Sequence, residues 1–291
     1  MINSIITEEV VKTILGKRDR EIHKGHCGRI LIAAGSRGMA GAAVLAVSGA
    51  LRAGSGLVQA AVPAELFPIL QTAVPEATCI ERDFSKTDLG RYDAIAIGPG
   101  LGKSPEACAS IEELLTAFNG PLVLDADALN IISEREWHSM LMKRPEGKTV
   151  ITPHPGEAAR LLGRNIGTTD EERREAAHAL AERTGAVVLL KGHETIVAAD
   201  SCKTYTNITG NPGMATGGSG DVLTGIIAGF MGQKKPVSLG GCRLSPREAA
   251  ICGAFVHGRA GDLAAEKLGE YGLIAGDIAY YTAIALKEIS G

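Results

Sequence analysis

The segment Asn207-Ile208-Thr209-Gly210-Asn211-Pro212-Gly213-Met214-Ala215-Thr216-Gly217-Gly218-Ser219-Gly220-Asp221 places small residues directly ahead of the apolar stretch Val222–Met231. Glycine-rich backbone feeding a helix start offers unpartnered N–H groups and the positive end of the helix dipole, which together attract an anion. A carboxylate at such a pocket repels a simple phosphate ligand. Asp221 therefore reads as a general base, taking the proton of a hydroxyl that attacks a phosphoryl group. The competing role is a helix cap, in which Asp stabilises a helix start by ~1 kcal/mol. The density of glycines and the nearby Asn207 favour the base.

Three further clusters could do chemistry. Thr152-Pro153-His154-Pro155-Gly156-Glu157 is stiffened by two prolines and opens a helix. His154 and Glu157 there are either a loop histidine and a dipole-favoured acid, or a substrate contact and a contact to Mg²⁺-bound water. No third ligand of matching type lies close enough in sequence for a zinc site. Asp125-Ala126-Asp127 with Asn130 is either a capped helix start or a polar cluster near Mg²⁺ and phosphate. Lys191-Gly192-His193-Glu194-Thr195 sits between two strand candidates and reads as a tight hairpin; taken alone it is a plain turn, with a nucleotide-side loop as the alternative.

Two phosphate motifs are excluded. Gly98–Ser104 ends in Gly-Lys-Ser, but a Walker A loop needs a further glycine where Ile97 stands. Gly35–Gly41 has the wrong glycine spacing for a dinucleotide fingerprint and no acidic residue placed for a ribose.

The elements that must position these residues are short apolar runs alternating with segments of helical period, the pattern of parallel strands covered by helices. Strands are predicted over 29–34, 57–62, 94–97, 121–125, 148–152, 186–191 and 195–199, and helices over 40–52, 105–118, 169–184, 219–231, 246–268 and 277–289. Several strands run straight into the polar or glycine-rich clusters above, and ligands bind at that carboxyl edge of an open α/β sheet. Gln233–Leu244 reads as a loop. No repeat or linker is evident, so one domain over 1–291 is expected.

Lys and Arg number 30 against 33 Asp and Glu, a net charge of −3, so the basic excess of a nucleic-acid binder is absent. Glycine is over-represented at 37 of 291 residues, against a usual ~7%. The six cysteines, Cys27, Cys79, Cys108, Cys202, Cys242 and Cys252, show neither metal-site nor disulfide-scaffold spacing. The first dozen residues do not read as a signal peptide, and the longest apolar stretch, Met39–Leu51, is too short for a membrane span. A cytoplasmic protein that keeps away from membranes is expected.

Taken together, Asn207–Gly210 running into G-N-P-G-M-A-T-G-G-S-G-D-V-L-T-G over 210–225 resembles the ADP-dependent NAD(P)H-hydrate dehydratases of the ribokinase-like superfamily. Matches at Lys24–Arg29, Gly41–Ala43, Gly98–Gly102, Asp125–Asn130, Pro153–Glu157, Lys191–Thr195 and His257–Asp262 extend the resemblance over nearly the whole chain. It implies a three-layer α/β sandwich with a mainly parallel central sheet flanked by helices. It also implies repair of hydrated NADH or NADPH (NADHX or NADPHX, S epimer) with ADP as co-substrate and Mg²⁺ as cofactor. In that reaction the ring hydroxyl receives a phosphoryl group, phosphate is eliminated and AMP is left.

Carried over by position, Asp221 is the base, and Gly218 and Gly220 belong to the anion hole. Substrate contacts fall on Ala43, Gly102, His154 and Asp221. Nucleotide contacts fall on Lys191, Gly192, His193, Glu194, Thr195 and Gly220. Glu157 and Asp125 would approach the metal through water. Related vitamin kinases carry Asn-x-x-Glu where this chain has His154-x-x-Glu157, which favours the dehydratase over an ATP-dependent kinase of a small alcohol. The resemblance further implies a homo-oligomer such as a tetramer, with an epimerase acting as a separate chain.

Overall fold

In the computed structural model, residues 3–199 and 203–291 are described; Cys202 lies outside them. The strands are β1 Asn3–Ile5, β2 Arg29–Ala33, β3 Leu57–Val62, β4 Thr78–Glu81, β5 Ala94–Ile97, β6 Leu122–Leu124, β7 Thr149–Ile151, β8 Val187–Leu190, β9 Thr195–Ala198 and β10 Thr204–Asn207. The helices are α1 Glu8–Leu15, α2 Ala40–Arg52, α3 Phe67–Ala73, α4 Pro105–Ala117, α5 Asp127–Glu134, α6 His138–Met142, α7 Pro155–Leu162, α8 Asp170–Thr184, α9 Ser219–Gly232, α10 Pro246–Leu268 and α11 Ala275–Ser290.

The strands form one ten-stranded sheet in the order β1-β10-β9-β8-β7-β6-β5-β2-β3-β4. Every neighbouring pair is parallel except β8–β9 and β9–β10, so β9 alone runs against the rest. Strands β5 to β8 are buried along their full length because helices cover both faces. Alternate side chains along each strand feed two cores. Ile30, Ile32, Ala94, Ala96, Val123 and Leu189 face α1, α2, α3, α9, α10 and α11. Leu31, Ala33, Ile95, Ile97, Leu124 and Val188 face α4 to α8.

All the predicted strands and helices are present, within two residues of their predicted ends. Thr169 caps α8 rather than lying in it, its hydroxyl accepting from the Glu172 amide. The short strands β1, β4 and β10 and the helices α1, α3 and α6 escaped the sequence reading. Residues 233–244 form the predicted loop, closed by a bridge between Lys234 and Arg243. No described helix is long and apolar enough to cross a membrane.

Sheet order changes direction at β2, with β3 on one side and β5 on the other. The loops leaving β2 and β5 therefore diverge and open a crevice at the carboxyl edge, the position where α/β sheets take ligands. Hydrogen bonds stitch this rim together. The Gly35 amide donates to the Pro99 carbonyl at 2.8 Å, Ser36 Oγ to the Gly100 carbonyl at 2.9 Å, and the Gly102 amide to Asp127 Oδ2 at 2.8 Å.

Candidate active site

Asp221 stands in the first turn of α9, two residues after Ser219. The cap position belongs to Gly218, at φ +91°, and no side chain caps this helix, so the capping role for Asp221 does not hold. Among the described residues its carboxylate makes no hydrogen bond within the protein, and the amides of Gly217, Gly218, Gly220 and Asp221 have no protein acceptor. A row of free donors at the positive end of a fourteen-residue helix can hold a dense negative charge. Asp221 Oδ has no competing use. Burial first, then the neighbouring Asp125 and, less, Asp127, push its pKa up to about 7, with Lys191 pulling the other way.

The loop that delivers this turn is tied down at several points. Asn207, buried at the end of β10, donates through Nδ2 to the carbonyls of Thr209 (3.2 Å) and Ala254 (3.1 Å) and accepts from Thr209 Oγ1. Asp262 on α10 accepts from the Gly210 amide and from Asn211 Nδ2, both at 3.0 Å. His257 Nε2 donates to the Ser219 carbonyl at 2.9 Å and lies 3.3 Å from Ser219 Oγ. Burial pulls the His257 pKa down to about 4, so the ring is neutral at pH 7.

Beside Asp221, Lys191 Nζ donates to Asp125 Oδ1 at 2.7 Å and lies 3.9 Å from Glu157 Oε2. Burial lowers the Lys191 pKa, but the facing Asp125 and Glu157 more than offset it, leaving the ammonium firmly charged. Asp125 Oδ2 accepts from Thr224 Oγ1 at 2.7 Å, so both its oxygens are held. Asp125 is presented by a tight corner. Gly98, at φ +134°, has no room for a Cβ, which would sit 1.8 Å from the Asp125 carbonyl oxygen, and Ala126 takes a positive φ of +49° that non-glycine residues rarely adopt. Glu157 is buried and accepts from the His154 amide at 2.8 Å, while the half-exposed His154 ring accepts from the Gly156 amide through Nδ1.

A family model described as NAD(P)H-hydrate dehydratase matches residues 30–282. The chain belongs to this family. Among curated relatives, a dehydratase from Neisseria meningitidis named as ADP-dependent and (S)-specific is 39% identical over 90% of this chain and 86% of its own length. A bifunctional NAD(P)H-hydrate repair enzyme from Moorella thermoacetica is 41% identical over 98% of this chain and 54% of its own. The chain thus spans about half the length of the bifunctional relatives it matches. A crystal structure of the Bacillus subtilis ADP/ATP-dependent dehydratase, co-crystallised with ATP and Mg²⁺, superposes with a TM-score of 0.83 at 32% identity, covering 99% of both chains. A hydroxyethylthiazole kinase from Pyrococcus horikoshii, 16% identical with a TM-score of 0.61 over 95% of this chain and 92% of its own, shares the fold. The three-layer architecture is that of the ribokinase-like superfamily.

Within this dehydratase fold, Gly220 lies against Lys191, since a Cβ there would stand 3.3 Å from Nζ. Gly218, at φ +91°, holds a backbone conformation that residues with side chains rarely adopt, and a Cβ there would also press on the Leu45 side chain at 2.3 Å. Gly102, at φ +72°, is fastened to the start of α5 through Asp127. Ala43 is fully buried in the first turn of α2, so this conformation shows no free side chain there for a substrate. Lys191–Thr195 is the predicted hairpin, with the Lys191 amide donating to the Pro153 carbonyl at 2.9 Å. Of the two readings of Asp125–Asn130, the side-chain-capped helix start does not hold, although α5 does begin there. Ala126 occupies the cap position without a side-chain bond, and Asn130 Oδ1 instead accepts from Arg160 Nε at 3.0 Å.

Sequence reasoning gave no role to Thr224 or to His257 and Asp262. Thr224 is the one hydroxyl within the apolar stretch Val222–Met231 of α9, the signal that could have singled it out.

Among the described residues no three His, Cys, Asp or Glu side chains converge as a metal cage. Two buried carboxylates, Asp125 and Glu157, flank one lysine instead. That donor set suits Mg²⁺, which keeps most of its waters and leans on substrate phosphates.

Proposed function

We propose that the protein dehydrates the S epimer of hydrated NADH or NADPH, using ADP and releasing AMP and phosphate. The observation that carries this reading is Asp221. It is an unbonded carboxylate with its pKa raised to about 7, standing among free amides at a helix start. A base at pKa 7 is matched to neutral pH, whereas an ordinary aspartate would be a weaker proton acceptor.

Asp221 takes the proton of the ring hydroxyl as its oxygen attacks the β-phosphorus of ADP, and the bond to the AMP oxygen breaks. Amides of Gly217, Gly218 and Gly220 face the charge that spreads over the transferring phosphoryl group. The ring-nitrogen lone pair then expels phosphate. Loss of a proton from the adjacent carbon restores the double bond of the reduced ring. Asp125 and Glu157 are the residues that would hold Mg²⁺, which would supply neutralisation of the diphosphate charge. Lys191 holds these carboxylates in place, and its hairpin, through Thr195, contacts the nucleotide. Gly102 and His154 line the substrate side.

The names of the relatives support the substrate pair, and the ATP/Mg²⁺ of the Bacillus subtilis crystal supports nucleotide and metal use. An epimerase activity that converts the R epimer would complete the repair. The cytoplasm, where reduced nicotinamide nucleotides and ADP occur together, is the place of work on this reading.

The Asp221→Asn variant tests the mechanism. Turnover should fall by about 10²–10⁴-fold, the usual worth of a general base, while ADP affinity stays within a few-fold. Undiminished turnover would rule Asp221 out as the base.

A further inference from the structure

We infer that Arg173 is a positioning residue for the nucleotide: it shapes the Lys191–Thr195 hairpin so that its amides face outward, and thereby sets affinity for ADP or ATP without touching the phosphoryl transfer. The inference rests on the reading of this hairpin as the nucleotide side of the site.

Arg173 lies in the first turn of α8 and is buried. Its guanidinium reaches under the hairpin, with Nη1 donating to the His193 carbonyl at 2.5 Å and Nη2 to the Glu194 carbonyl at 3.3 Å. Thr195 Oγ1 holds the preceding carbonyl, that of Gly192, at 3.0 Å. Three successive carbonyls are thus engaged by the protein. In a trans peptide the next N–H points opposite to the carbonyl. Securing the Gly192 and His193 carbonyls therefore turns the amides of His193 and Glu194 away from their clamps. Neither amide has an acceptor among the described residues. Adjacent amides turned one way form a concavity for oxygen anions or a nucleotide's polar edge.

The loop conformation fits the clamp. Glu194 sits at φ +54°, a left-handed backbone that a non-glycine residue keeps only when its surroundings impose it. Gly192 stands at φ +144°, and a Cβ there would approach Arg173 Nη2 to 2.9 Å, so glycine leaves the space the guanidinium fills. The nearest carboxylate, Asp170, is 3.8 Å away and half exposed, so the buried cation is directed mainly at neutral carbonyls. A planar fork can hold two carbonyls at once; a lysine ammonium is a single point donor.

The test compares wild type with Arg173→Met, Arg173→Lys and Arg173→Ala. ADP and ATP binding is measured by calorimetry, and kcat, KM for nucleotide and KM for hydrated NADH by absorbance. In Arg173→Met the Kd and KM for nucleotide should rise about tenfold or more. Meanwhile kcat at saturating nucleotide and KM for the hydrate stay within about twofold. Arg173→Lys keeps the buried charge, and hence the fold, and should weaken nucleotide at least threefold. Adding guanidinium ion in the millimolar range to Arg173→Ala should recover part of the affinity, which a merely misfolded variant would not do. Wild-type nucleotide affinity in Arg173→Lys, or a parallel loss of kcat and both KM values, would overturn the inference. A wild type that binds nucleotide without dehydrating the hydrate would instead overturn the functional reading and leave the binding test of Arg173 in force.

Discussion

With a pKa of about 7, Asp221 loses its capacity as a base within the physiological range. Below pH 7 the carboxyl is protonated, so kcat/KM should fall about tenfold per pH unit and level off above pH 8. A profile flat from pH 6 to 8 would contradict this. The same shift has a stability consequence. The folded pKa is above the ordinary value of 3.8, so the folded state favours the proton, and stability falls as pH rises from about 4 to 7, with the cost complete above pH 7. Asp221→Asn removes that cost. Its melting temperature should exceed that of wild type by a few degrees at pH 8, and the difference should close below pH 4. Lys191 and Glu157 could be singled out from sequence because each sits in a short polar cluster after an apolar run, and Asp221 because it closes a glycine-rich loop that opens an apolar helix. Their partnerships could not. Lys191 meets Asp125 across 66 residues and Thr224 meets it across 99, distances that only sheet order brings together.

At the scale of elements, α9 is set by its crossing with α2. A Cβ on Gly225 would lie 1.9 Å from the Ala46 carbonyl, and one on Gly49 2.4 Å from the Val222 carbonyl, so the two backbones touch. Gly225→Ala should therefore destabilise by at least about 2 kcal/mol in urea unfolding, since backbone cannot retreat as a side chain can. Gly217 has open space around its Cβ direction, and Gly217→Ala should change stability by no more than about 0.5 kcal/mol. The α10–α9 contact is pH-sensitive through His257. Its folded pKa of about 4 lies below the ordinary 6.5, so its stabilisation is complete above pH 6.5 and lost as pH falls towards 4. At pH 5 the linkage amounts to roughly 2 kcal/mol, which His257→Gln should remove from the pH dependence while leaving its own loss at pH 7. The long elements were readable because their apolar period runs uninterrupted. Strand β4 was not, since Thr78-Cys79-Ile80-Glu81 is a half-exposed edge with no buried run. Strand β10, Thr-Tyr-Thr-Asn, buries hydroxyls where a core strand would carry aliphatic side chains.

For the whole molecule, sheet order decides which loops meet. The switch at β2 opens the crevice between the loops after β2 and β5, where Gly102 sits. The antiparallel turn from β8 to β9 brings the Lys191 hairpin to the same rim. A parallel sheet covered by helices was legible from the chain, and so was the gathering of polar residues at strand ends. The strand order was not, because it follows from packing between segments far apart in sequence. The arrangement brings the crevice and the Lys191 hairpin to the rim that carries Asp125 and Asp221; on the proposed reading the first takes the substrate and the second the nucleotide, as a phosphoryl transfer followed by elimination requires. The most direct test is to incubate the protein with hydrated NADH, Mg²⁺ and either ADP or ATP, following reduced-nicotinamide absorbance and nucleotide products together. The account predicts recovery of NADH with ADP, one AMP and one phosphate appearing for each molecule restored. A protein that binds ADP yet restores no NADH with either nucleotide, or that accumulates a stable phosphorylated product, would contradict it.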